Sequence, residues 1–228
     1  MMRLAAALAF SLALSATPLP ALAQEIVLEG VGNRPAELNA GGVSYEERLR
    51  RAIGQASRGL GACPSIRARS LYFADISNSD AYTATLSDGG ASFYQERMML
   101  EGCGNSFMPN FMVLHRPDDT AIVSMVPGET LASLKLMMDA QAPAIAAAGV
   151  VARCGDMSGV SFLHSVVTTP PSGAGIGQHW SETWTLRMCG AAVEIPVEFL
   201  VTESGVTFTF RPNTGRVLTP QPSRSREQ

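Results

Sequence analysis

The chain has 228 residues, 17 basic and 20 acidic side chains for a formal charge of −3, and 46% hydrophobic residues. The mildly acidic total does not favour nucleic acid, which wants a basic stripe, so no nucleic-acid partner is expected. The apolar share is enough for packed cores, which excludes a chain that is disordered throughout.

The first 23 residues read as a secretory signal peptide. Arg3 supplies a charged start, Leu4 to Leu14 an apolar stretch broken only by Ser11, and Ala21-Leu22-Ala23 a small-x-small cleavage signal before Gln24. The apolar run is too short to span a bilayer. No later stretch reaches the roughly 18 to 20 apolar residues of a membrane helix, so no transmembrane segment is expected. No cysteine follows the cleavage site, so no bacterial lipid anchor is expected either. The expectation is a mature chain of about 205 residues, periplasmic or secreted, cleaved after Ala23.

Residues 24–43 hold Gly30, Gly32, Pro35, Gly41 and Gly42 and read as an N-terminal arm, with Ile26-Val27-Leu28 able to add a short strand. Ser44-Tyr45-Glu46-Glu47 has the form of a capping box. Leu49, Ala52, Ile53, Ala56 and Leu60 follow at helical spacing, and Gly59 and Gly61 stop the helix before Cys63. Strands are predicted at Ile66–Ile76, Phe93–Cys103, Phe107–His115 and Ala121–Val126, with a tight turn at Arg116-Pro117-Asp118-Asp119. A second helix is predicted from Glu129 to about Ala147, apolar on two sides and therefore the more buried, with Pro143 bending or splitting it. Strands follow at Met157–Thr168, Gln178–Cys189, Val193–Thr202 and Val206–Arg211. Residues 212–228 are rich in Pro, Ser and Arg and read as a disordered tail.

The order of elements repeats, and so does a motif. Tyr94-x-Glu96-x3-Leu100-x2-Cys103-Gly104 recurs 86 residues later as Trp180-x-Glu182-x3-Leu186-x2-Cys189-Gly190. Cys63 and Cys154 stand 40 and 35 residues before their partners. The fold class predicted is α+β: two tandem repeats, 44–127 and 128–211, each one helix plus a four-stranded antiparallel meander with one disulfide per repeat. An even cysteine count in an oxidising compartment favours disulfides, and the repeat selects Cys63–Cys103 and Cys154–Cys189. Each loop closure would contribute roughly 3 to 4 kcal/mol. Whether the units share one sheet is left open. This layout is similar to that of the proteinaceous β-lactamase inhibitors, and a cystatin-like unit is equally compatible. The likeness is of layout alone and implies no activity.

Strand alternation places Glu96 with Tyr94, Met98 and Leu100, and Glu182 with Trp180, Trp184 and Leu186. Each copy therefore embeds one carboxylate in an apolar face. Such a group must be paired, hydrogen-bonded or protonated. A structural bond to a helix amide, a turn or an arginine is the first reading, and an acid/base or ligand-binding carboxylate the second. The same alternation puts Cys103 and Cys189 on the polar faces, which a bulge near Gly102 would correct.

His164 aligns with Phe73 of the first repeat, and a hairpin folded about Gly173 sets it opposite Glu182. That pair would be the catalytic candidate. Ser161, Ser181 and Thr183 lie nearby, but no nucleophile elbow frames them. Nine methionines in the mature chain, with His115, raise a copper alternative, although their periodic spacing fits core filling better. No metal site or cofactor is predicted. The 169–177 loop lacks the Gly-Lys-Ser/Thr ending of a phosphate loop. It reads instead as a contact surface, with His179 and Trp180 at its base as binding candidates beside Glu96. The function expected is a non-enzymatic binding or envelope assembly module whose partner is another envelope protein. The alternatives are a small hydrolase-like enzyme using His164 and Glu182, and a periplasmic copper-handling protein.

Overall fold

The structure, a computed structural model, describes residues 24–57, 63–79, 87, 90–155 and 159–218. The signal segment, the glycine stop after the first helix, Met157 and residues 219–228 lie outside the described residues. The fold is mixed α/β, with two separate sheets, mostly antiparallel strands and two disulfides.

The first sheet is built from β1 (Glu25–Glu29), β2 (Ser65–Asp75), β3 (Ser92–Gly102), β4 (Asn105–Phe107), β5 (Asn110–Arg116) and β6 (Asp119–Ser124), ordered β1-β2-β3-β5-β6 with β4 beside β3. The strand predicted at Phe107–His115 is broken at Met108-Pro109, because proline has no N–H to give the ladder. β1 runs parallel to β2, and helix α1 (Tyr45–Ala56) makes the crossover between them. The Ser44 hydroxyl caps α1 by accepting from the Glu47 amide at 3.2 Å. Only half of the predicted capping box forms, because the Glu47 carboxylate turns to Arg51 instead. Leu49 and Ile53 of α1 meet Met98, Leu100, Phe111 and Val113 of the sheet in one core.

The second sheet is β7 (Ser161–Ser172), β8 (His179–Met188), β9 (Ala191–Thr202) and β10 (Gly205–Phe210), in the order β10-β9-β8-β7. Helix α2 (Leu134–Ala152) lies on its apolar face. Ala140, Ala144, Ala147 and Ala148 allow the helix close to Trp184, Ile195, Val197 and Phe199. Phe93 and Met112, on the far face of the first sheet, join this second core, so the two halves share packed surface.

Two expectations about α2 need correction. It starts at Leu134, not Glu129, with the Ser133 hydroxyl as its cap. Pro143 neither splits it nor ends it, since that residue lies on the exposed side where water can serve the freed carbonyl. Its second apolar side, carried by Leu136 and Met137, is buried as expected, whereas Met138 on the first side is exposed, as is Val150. Among the described helices α2 alone has the length and composition to cross a membrane. Its alanine side, however, is committed to the sheet-2 core.

The segment predicted as a disordered tail begins with structure: Pro212–Thr214 forms a 3-10 turn, and β11 (Arg216–Leu218) pairs with β9. The cysteines also differ from expectation. Cys103-Gly104 and Cys189-Gly190 are two-residue hairpin turns in which all four residues have positive φ, 51° and 75°, 47° and 77°. That is the type I′ pattern. The cysteines are therefore outside strand alternation, and no bulge is needed to bring them to Cys63 and Cys154. The Cα–Cα distances are 5.7 Å for Cys63–Cys103 and 6.5 Å for Cys154–Cys189, within the span a disulfide bridges. The two disulfides are consistent with an extracellular or periplasmic protein.

The halves are joined at Gly128. Its amide donates to the Met108 carbonyl at 2.7 Å, and the following Glu129 amide donates to the Ser165 carbonyl on β7 at 2.9 Å. The Ser165 hydroxyl returns a bond to the Pro127 carbonyl at 2.6 Å. A Cβ at position 128 would stand 2.3 Å from the Ser165 carbonyl oxygen, and φ there is +97°. Gly128→Ala is therefore expected to lower unfolding free energy by about 2 kcal/mol or more, read by urea denaturation. A change below about 0.5 kcal/mol, the level of an ordinary surface substitution, would refute this account of the junction.

Candidate functional site

Glu96 on β3 is fully buried, and every contact of its carboxylate is accounted for. Arg34 closes on it as a fork, Nε to Oε2 at 2.9 Å and Nη2 to Oε1 at 2.7 Å. The Ser70 hydroxyl also donates to Oε1, and the Tyr45 hydroxyl donates to Oε2 at 3.1 Å. The Arg34 guanidinium lies 4.2 Å from the centre of the Phe73 ring, which stacks in turn on Tyr94 at 5.2 Å. Arg34 comes from the stretch predicted as a loose arm, and Tyr45 is the first residue of α1. The carboxylate thus ties the arm and the start of α1 to the sheet. Burial, reinforced by the Glu96 charge, raises the Tyr45 hydroxyl far above its ordinary value. Burial and then the charge of Glu37 raise Tyr94 as well.

Glu182 on β8 is equally buried but has different partners. Its Oε1 accepts from the Leu131 amide at 2.8 Å and from Trp180 Nε1 at 3.0 Å, and its Oε2 accepts from Trp184 Nε1 at 2.8 Å. Among the described residues no cation stands within salt-bridge distance of it. Leu131 lies just ahead of α2, so this carboxylate too holds the chain that leads into a helix. That bond explains the late start of α2, because the residues before Ser133 are drawn to the sheet.

The other candidates fall apart as a catalytic set. Glu182 is opposite Val167, whereas His164 is opposite Thr185 and exposed. Irregularities between Phe162 and His164 and again between Val167 and Thr169 shift the register, and sequence periodicity carries no sign of them. By register the counterpart of Phe73, which faces Glu96, is Val167 and not His164. Trp180 is not a surface anchor: it is buried, stacked on Phe199 at 4.7 Å and bonded to Glu182. His179 is exposed, and the Ser172 hydroxyl is 3.0 Å from its Nδ1 and 3.1 Å from its Nε2. An oxygen equidistant from both ring nitrogens lies off the carbon between them, along neither lone pair. The contact is therefore a hairpin-mouth contact and not an activated nucleophile. His115 pairs with the Thr120 hydroxyl at 3.1 Å. Met98, Met112, Met125, Met137 and Met188 fill the cores. No group of three His, Cys, Asp or Glu able to hold a metal occurs among the described residues.

Several concavities remain among the described residues, including a polar one of about 350 Å³ at Tyr72, Gln95, Arg97 and residues 130–133. Another, of about 270 Å³, lies on the outer face of sheet 2, where His179, Leu200 and Thr207 form a row beside Ser181, Glu198 and Thr209. The hairpin loop that leads into His179 exposes Ile176. A third, of about 500 Å³, lies between the halves, walled by β4 and the end of β6 on one side and by the start of β7 on the other. His179, a binding candidate from the sequence, lines the cleft on sheet 2; the cleft between the halves was not legible in the sequence, because residues from 55 to 187 make it.

The chain matches no protein-family profile, no curated protein and no solved structure. The likeness of layout to β-lactamase inhibitors and cystatins thus gains no support from any relative, and the residues themselves must carry the functional reading.

Alkaline pH tests the Glu96 cluster. Tyr45 keeps its proton in the folded state but loses it near pH 10 when unfolded, so above pH 10 unfolding releases a proton and stability falls as pH rises, by about 1.4 kcal/mol per pH unit. Tyr45→Phe is expected to cost about 1 kcal/mol at neutral pH and to make the alkaline decline shallower, leaving the part due to Tyr94. Denaturation curves at several pH values between neutrality and strong alkali check this, and an unchanged decline in Tyr45→Phe would contradict it.

Proposed function

We propose that this chain is a non-enzymatic binding or assembly module of the bacterial envelope, secreted or periplasmic, whose partner is another envelope protein. The observation that carries the reading is the outer face of sheet 2 at the hairpin tip. There an exposed loop with Ile176 leads into β8, whose His179 lines a shallow concavity with Leu200 and Thr207. Both repeated carboxylates are occupied by structural donors, and His164 stands apart from Glu182, which leaves surface complementarity as the better account. Loops set on a rigid sheet are where binding residues concentrate.

We also read the two halves as copies of one unit. The matching Cys-Gly type I′ turns, the buried Glu at the same distance from each turn, and the same strand order β2-β3-β5-β6 and β7-β8-β9-β10 support that reading.

Affinity capture from envelope extract tests the binding role, using oxidised mature protein beside a version lacking 173–177. The expected result is one protein enriched by the intact chain and lost with the loop. Equal capture by both versions would place the contact elsewhere, and no capture by either would end the protein-partner reading.

A further inference from the structure

The geometry points to a second, independent site: the cleft between the two halves binds a small amphipathic monoanion, a carboxylate carried on an apolar body, with Arg187 as its anchor. At about 500 Å³ the cleft falls within the size range of small-molecule sites. Phe107 and Met125 contribute apolar surface from the first half, and Val160, Phe162 and Leu163 from the second. Met125 is buried and Phe107 and Phe162 are half-buried, so a ligand entering here covers apolar surface that the fold leaves open.

The polar side chains that line the same cleft are Gln55, Ser124, Gln141, Ser161 and Arg187, and no acidic side chain does so among the described residues. In a chain of net negative charge this local positive character selects an anion. Arg187 has no carboxylate partner among the described residues, unlike Arg34, Arg48, Arg211 and Arg216, which are all paired. Strand register places Arg187 directly opposite Ser161, so a hydroxyl accompanies the guanidinium. One guanidinium fork matches one carboxylate in a bidentate contact. The lining carries one positive charge, which matches a monoanion and leaves a phosphate dianion half-neutralised, and the apolar walls favour a body without further charge. Such a group reaches a secreted protein from two sources, a free fatty acid or the C-terminal residue of an apolar peptide.

Three probes distinguish these outcomes on the full oxidised protein: decanoate, N-acetyl-Leu-Phe, and decanol as an uncharged counterpart, each followed by backbone amide shifts. Saturable shifts centred on Val160–Leu163 and Met125 with at least one acid are expected, with decanol at least roughly tenfold weaker, as the loss of a charge-assisted bond implies. Arg187→Gln is expected to weaken the acid by a similar factor while leaving the melting temperature unchanged, because Arg187 is exposed and unpaired. Binding by decanoate alone identifies a fatty acid, and binding by the dipeptide alone a peptide terminus. No saturation by either acid at roughly millimolar concentration, equal binding of decanol, or an unaltered Arg187→Gln would each overturn the proposal. Capture through the 173–177 loop is unaffected by any of these results, so the two sites stand or fall separately.

Discussion

A carboxylate within the apolar face of a sheet must be met by donors, because an ionised group left alone there costs several kcal/mol. In this protein two such groups are fully buried, and each half is arranged around the supply of their hydrogen bonds. Glu96 receives an arginine fork, a serine and a tyrosine. Glu182 receives two indoles and one backbone amide. The chemistry of the donors differs, but the mechanical result is shared. Each carboxylate draws the chain just ahead of a helix, or its first residue, down onto the sheet that the helix must cover. The helix is then fixed at one end before packing settles the rest.

The disulfides act at the other end of each unit. Each joins the segment that precedes the first meander strand to a tight turn at the end of the next. The positive φ at the first position of each turn sets the cysteine side chain off the strand and toward its partner. Between the units the constraint is steric. Gly128 passes so close to Ser165 that any side chain there would displace β7, and the bonds on either side of it connect the first sheet to the edge of the second. The cleft with Arg187 is bounded by these same neighbours, since Pro127 and the start of β7 both line it. Its shape therefore depends on the junction being held.

Much of the architecture was legible in the sequence because it rests on local signals. Alternation placed Glu96 and Glu182 on the apolar faces where they lie, the Ser44 cap marked the start of α1, and cysteine spacing gave the pairing that the structure contains. What failed rested on distant partners or on irregular backbone. Arg34 lies 62 residues from Glu96, in a glycine- and proline-rich stretch with no local mark of its importance. The His164–Glu182 pairing failed because register shifts in β7 leave the residue pattern unaltered while changing which residues face each other. The start of α2 was misplaced because the Leu131 amide answers to a carboxylate in another strand and not to its own helix. Met138 of α2 shows the same limit: periodicity reports that a residue lies on an apolar side, not that something covers it.

The central claim is that a buried carboxylate fastens the approach to its helix, and Glu182 offers the cleaner case because its partners carry no charge. Glu182→Leu keeps a similar volume and leaves three N–H groups without an acceptor. Hydrogen exchange at the Leu131 amide, read in the wild type and in this variant under identical conditions, tests the claim most directly. The account predicts faster exchange from Leu131 through the first turn of α2, with unchanged protection in α1 and a loss of roughly 3 kcal/mol or more in stability. Leu131 protection and stability equal to the wild type would contradict it.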